Sequence, residues 1–84
     1  MKLKTQFEFV EIGDEITAVP VGENSFSGVI VVNKTKQDIM KLLETETTEE
    51  AVISAMCEMY SADRDTIANG VCDVLRALSE NSML

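Results

Sequence analysis

The hydrophobic period of this 84-residue chain changes once, near residue 33, and that single change orders its elements. Before it, Phe7-Glu8-Phe9-Val10-Glu11-Ile12 roughly alternates and Gly13-Asp14 is a turn signal. Glu15-Ile16-Thr17-Ala18-Val19 resumes the alternation, and Gly28-Val29-Ile30-Val31-Val32 is a short β-branched block. A period of two places successive side chains on opposite faces, so the segment predicts three strands over about 7–12, 15–21 and 28–32. Pro20 has no N–H to donate and is expected at the end of the second strand or on its unpaired rim. Gly22 to Ser27 supplies the loop into the third strand. A meander of this kind leaves the first and third strands as edges.

After Asn33 the period is helical. Asn33 suits an N-cap, and Ile39, Leu42 and Leu43 share one face of a helix over about 34–44. Thr45 to Thr48 interrupts it with residues that prefer caps and turns, and Thr47 with Glu50 reads as a capping box. Val52, Met56, Met59 and Tyr60 follow at helical spacing, giving a second helix over about 48–60. Asp63, with Thr66 behind it, is a further cap candidate. Ile67, Val71, Val74, Leu75 and Leu78 then form the cleanest stripe in the chain, on a third helix over about 64–79. The order βββ-ααα predicts an α+β fold, a three-stranded antiparallel sheet followed by a three-helix bundle, within a single domain of residues 1–84.

Charge narrows the partners. Seven basic against fifteen acidic residues give a net charge of -8. Residues 1–42 carry five Lys and six acids, a net of -1, whereas residues 43–84 carry two Arg and nine acids, a net of -7. Nucleic acid and anionic membrane are recognised by neutralising phosphates, so neither suits this chain, and a basic or neutral partner does. No apolar run approaches the roughly 18 residues of a membrane span, and no signal-peptide stretch follows Met1-Lys2-Leu3-Lys4, so a cytoplasmic location is expected.

Residues that carry chemistry are few. His is absent, and Cys57 and Cys72 form no CxxC pair, so neither a metal site nor a redox motif assembles, and both Cys are expected as buried small apolar residues. Glu49-Glu50 suits the positive end of a helix. Gly22 and Gly28 make no phosphate-binding pattern. The chain is therefore expected to be non-catalytic and to need no cofactor. What invites a function is Val29 to Val32, where four consecutive aliphatic residues leave a second strand face to be covered. Helices or a second copy of the chain would cover it; an edge kept open for an incoming peptide, with the third helix as one wall, is the sharper alternative.

Several segments resemble the PqqD family, small proteins of pyrroloquinoline quinone biosynthesis and of the wider set of recognition elements for ribosomally made, post-translationally modified peptides. Val31-Val32-Asn33-Lys34-Thr35-Lys36-Gln37-Asp38-Ile39 is similar to the family's strand-Asn-x-Thr-x-x-x-Ile junction with its first helix. Thr48-Glu49-Glu50-Ala51-Val52, then Tyr60, Asp63 and Asp65, the stripe Val71, Val74, Leu75, Leu78, and Leu78-Ser79-Glu80-Asn81-Ser82-Met83-Leu84 extend the likeness over nearly the whole chain. Glu44-Thr45-Glu46-Thr47 stands where the family often has Asp-Gly, and Ser82 where Gly is usual; neither is expected at the groove.

The resemblance implies a winged-helix-like arrangement. It also implies a groove between the third strand and third helix that takes the leader of a precursor peptide as an added strand and presents it to a modifying enzyme, of radical SAM type in the namesake pathway. Carried over by position, the peptide-binding residues are Gly28, Val29, Ile30, Val31 and Val32 on the strand and Ile67, Val71, Val74, Leu75 and Leu78 on the helix. Ala68, Cys72 and Arg76 are neighbouring candidates for the wall. Three competing functions follow from the same architecture and size. A winged-helix DNA-binding protein would use the third helix for recognition, but Asp65, Asp73 and Glu80 against Arg64 and Arg76 make it too acidic to approach phosphates. An acyl carrier would need a modifiable Ser in an Asp-Ser-Leu setting, which is absent. A structural dimerisation or scaffold subunit, a homodimer through Val29 to Val32, keeps the block but needs no peptide.

Overall fold

The computed structural model describes residues 1–4, 6–21, 30–81 and 83–84. Its elements run β1 (Gln6–Ile12), β2 (Glu15–Val21), β3 (Ile30–Val32), α1 (Lys34–Leu42), α2 (Glu49–Met59) and α3 (Arg64–Glu80). The sheet is an antiparallel meander in the order β1-β2-β3, as the turn signals imply. Gly13, at φ 62, adopts the left-handed conformation that a two-residue hairpin turn requires, so that Ile12 pairs with Glu15. Pro20 sits one residue from the end of β2, opposite Phe7.

The register decides which face is core. Phe9 lies opposite Ala18, and Ala18 opposite Ile30; Glu11 lies opposite Ile16, and Ile16 opposite Val32. These positions share the inner face with Phe7, and Phe7, Ile16, Ala18 and Val32 are buried there against the helices. Ile39, Met40 and Leu43 from α1, Val52 and Met56 from α2, and Val71 and Leu78 from α3 complete the core with Met83. Among the described residues no helix is long and apolar enough to cross a membrane.

Local chemistry corrects several expected boundaries. The Asn33 side chain caps α1 by accepting from the Lys36 N–H at 2.8 Å. Helix α1 ends at Leu42 rather than residue 44, because Leu43 donates to Ile39 and Met40 and the backbone then turns. The cap of α2 is Thr48, which accepts from the Ala51 N–H at 3.1 Å, so the Thr47–Glu50 capping box does not form. Thr47 is instead held by its backbone, its N–H donating to the Met1 carbonyl at 2.9 Å. Glu49 and Glu50 do occupy the first turn of α2, which ends at Met59. Asp63 precedes α3 without a side-chain cap bond; only its carbonyl accepts, from Ile67, and the helix continues to Glu80. Strand β1 begins one residue early, at Gln6, and the described part of β3 is Ile30–Val32; Gly28 and Val29 lie outside the described residues. Cys57 and Cys72 are free thiols, half-buried rather than buried.

Candidate functional site

The two faces of β3 differ sharply. Val32 points into the core and Ile30 is half-buried beside it, whereas Val31 lies on the outer face and is 60% exposed. No described element covers that outer face, so of the alternatives a covering helix is not found among the described residues. Strand β3 is also an edge, with β2 on one side and no described strand on the other. Main-chain groups on that side, which pair with no described strand, are those to which a further strand would add.

Helix α3 runs past this edge and leaves two hollows. The upper one, of about 330 Å³, lies between the β3–α1 junction and the first half of α3. Asn33 and Thr35 form one rim, Ile67 and Gly70 the other, and Ile39 and Val71 the floor, with Tyr60 at one end. The lower hollow, of about 270 Å³, lies between Ile30 and Lys36 on one side and Ala77, Leu78 and Asn81 on the other. Other hollows are walled by charged groups, such as the one between Lys2, Lys4 and Glu44. The two hollows beside α3 expose more apolar than polar surface, and the lower one is lined by Ile30 of β3.

The stripe on α3 separates into three roles. At about 100° per residue, Val71 and Leu78 point straight at the core, and they are 1% and 2% exposed. They are the floor of the hollows as well as core. Gly70, Val74, Ala77 and Asn81 lie on the flank toward β3, and three of these four line the hollows. Leu75, Ala68 and Cys72 lie on the opposite flank and line neither hollow. Arg76 is exposed and turns to Asp73, 3.9 Å away, while Arg64 faces Glu50 at 3.9 Å. Both Arg of α3 thus lie near a carboxylate in solvent-exposed pairs of the kind worth little energy.

Gly70 and Ala77 were not among the expected site residues. Their signal is present in the sequence as two small residues seven apart beside the stripe, where α3 gives up side-chain volume. Ser82, expected to lie off the groove, lies outside the described residues.

At the end of the upper hollow the Tyr60 hydroxyl donates to Asp38 Oδ2, and Lys34 Nζ lies 3.4 Å from Asp38 Oδ1. Donation to the Asp38 carboxylate, then burial and the carboxylate's charge, raise the phenol above its usual value near 10, outweighing a smaller opposite effect of Thr35. Because the folded value is the higher one, the contribution to stability is complete below about pH 10 and is lost as pH rises through the folded value. Tyr60 is the chain's one tyrosine and there is no Trp, so absorbance near 295 nm follows it directly. The midpoint is expected above 10, and Asp38→Asn is expected to lower it; a midpoint at or below 10 in the unaltered protein would disprove the pairing.

Among the described residues no cluster of three or more His, Cys, Asp or Glu could hold a metal ion. None of the curated proteins compared with the chain matches it. The model of a family described as coenzyme PQQ synthesis protein D (PqqD) matches residues 19–84. Among solved structures, TbiB1 in complex with the TbiA(beta) leader peptide is similar at a TM-score of 0.72 and 27% identity, covering 100% of this chain and 94% of that one.

Proposed function

The chain belongs to the PqqD family, and from that premise we propose that it is a non-catalytic recognition protein for the leader segment of a ribosomally made precursor peptide. The leader adds as a strand along residues 28–32, antiparallel or parallel to β3, and seats apolar side chains in the two hollows against α3. Ile30 and Val32 offer the strand's inner side; Ile67, Gly70, Val74 and Ala77 form the opposing wall over the floor of Val71 and Leu78. A peptide-modifying enzyme, of radical SAM type in the namesake pathway, then acts on the tethered precursor. The observation that carries this reading is the β3 edge, with which no described strand pairs, next to two mainly apolar hollows along α3, the lower one lined by Ile30. It is supported by the leader peptide bound to the similar protein TbiB1.

Four or five main-chain hydrogen bonds at a net of about 1 kcal/mol each join two or three anchors at ~1.5 to 3 kcal/mol. Several kcal/mol of association and ordering cost oppose them. The balance corresponds to micromolar binding, near -8 kcal/mol on the affinity scale, which lets a carrier release its peptide.

The test is a backbone-amide NMR titration of the labelled chain with synthetic leader peptides from the small open reading frames beside its gene. Saturable shifts are expected in residues 30–33 and 66–81, with slower amide exchange in β3. Saturable binding that shifts only other regions would refute the groove. No shift with any candidate, together with line widths of a tight dimer, would favour the competing account in which β3 pairs with its own copy.

A further inference from the structure

The outer face of the sheet is apolar where water should favour polar residues. Val10, Thr17 and Val31 form one row across all three strands, since Val10 pairs with Thr17 and Thr17 with Val31. Val10 is 43% and Val31 60% exposed, and Ile12, two residues along β1 on the same face, is 71% exposed. Three of the four large hydrophobic side chains that are exposed among the described residues therefore share this face. The recognition groove does not use it, because the hollows open on the inner side toward α3.

We infer that this face is where the peptide-modifying enzyme docks, and that the bound leader completes the docking surface; the inference rests on the strand-addition reading above. With strands about 4.8 Å apart and about 3.3 Å per residue, the seven residues each of β1 and β2 and the three described residues of β3 present roughly 300 Å². A stable interface needs about 800 Å² per partner, so the face alone falls short. A leader strand added beside β3 lies about 4.8 Å beyond Val31 and places alternate side chains on the same outer face, lengthening the row. The enzyme thus meets one continuous surface made by the recognition protein and its cargo, and it binds the loaded form better than the empty one.

Charge identifies the partner's chemistry. Glu8 and Glu15 are exposed on the outer face beside the apolar row, and β1, β2 and β3 contain no Lys or Arg. A second copy laid face to face would oppose carboxylate to carboxylate in a protein of net charge -8. The complementary surface has an apolar centre rimmed by Lys or Arg.

The test uses the full chain, its leader peptide and the purified peptide-modifying enzyme encoded beside its gene. Val10→Thr and Ile12→Thr together, both on β1 and away from the strand the leader joins, keep β-branched shape while removing apolar surface. The double variant is expected to bind leader within about twofold of the unaltered chain and to lose more than tenfold in affinity of the loaded complex for the enzyme. Glu8→Lys with Glu15→Lys is expected to weaken the enzyme most at low salt. If the double variant fails to fold, Ile12→Lys alone, at the more exposed of the two positions, replaces it. Enzyme affinity that is unchanged, or leader affinity that falls equally, overturns the inference. So does sedimentation showing a dimer of the unaltered chain that the substitutions dissolve. Failure of the unaltered chain to bind any leader is seen before enzyme is added and overturns the strand-addition reading, and this inference with it.

Discussion

Gly70→Leu is expected to abolish leader capture while leaving the protein at least as stable as before. Gly70 lies inside α3, where glycine costs about 0.5–1 kcal/mol relative to a good helix former. A Cβ built there meets nothing within 4 Å, so the larger side chain enters open space instead of the core. That space is the upper hollow of about 330 Å³, and a leucine would occupy the volume meant for a peptide anchor. Calorimetric titration should show affinity lower by more than tenfold, about 1.4 kcal/mol or more, with an unchanged or raised melting midpoint. Gly70→Ala is the control: it should gain helix stability and keep most of the binding. Binding of the leucine variant at the level of the unaltered chain would remove the upper hollow from the site.

Leu78→Ala is expected to do the reverse, costing about 2–5 kcal/mol of folding stability. Leu78 is 2% exposed and packs in the cluster that joins α3 to the sheet and the other helices, so truncation leaves a cavity that neighbours only partly fill. For a chain of 84 residues, total stability is on the order of 4–12 kcal/mol at 0.05–0.15 kcal/mol per residue, so this one change consumes a large part of it. Urea unfolding should show a lower midpoint at an unchanged slope. A loss below about 1 kcal/mol accompanied by weaker leader binding would make Leu78 groove wall and not core.

Much of the architecture follows from patterns a few residues long. The alternation of Phe7, Phe9 and Glu11 with outward residues is a local property, and so are the Gly13-Asp14 turn and the Asn33 cap. The helical spacing of the α3 stripe marks one buried face. Errors arose where two local choices were nearly equal. Thr47 and Thr48 are equivalent as caps in isolation, and the backbone bond between Thr47 and Met1, a contact distant in sequence, leaves Thr48 to cap. Asp63 has the right residue type for a cap but makes no side-chain cap bond.

The candidate site was legible in outline only. Val29 to Val32 and the α3 stripe were found by composition and period, yet neither reveals which flank of a helix meets which strand. That depends on how α3 lies over the sheet, and it divides Val71 and Leu78 as floor from Gly70 and Ala77 as wall, with Leu75 turned to the other flank. The exposed row of Val10, Thr17 and Val31 is likewise invisible in sequence, because it joins residues up to twenty-one positions apart through strand register. By itself, the sequence determined the order and type of the described elements, the excess of acidic over basic residues, and the aliphatic block at the sheet's edge, since all of these are set by neighbours within a turn or two. Only the tertiary structure decided that, among the described residues, no strand pairs with the second edge of β3 and no element covers its outer face, and that two hollows open beside α3, because each is a matter of packing between segments far apart in the chain.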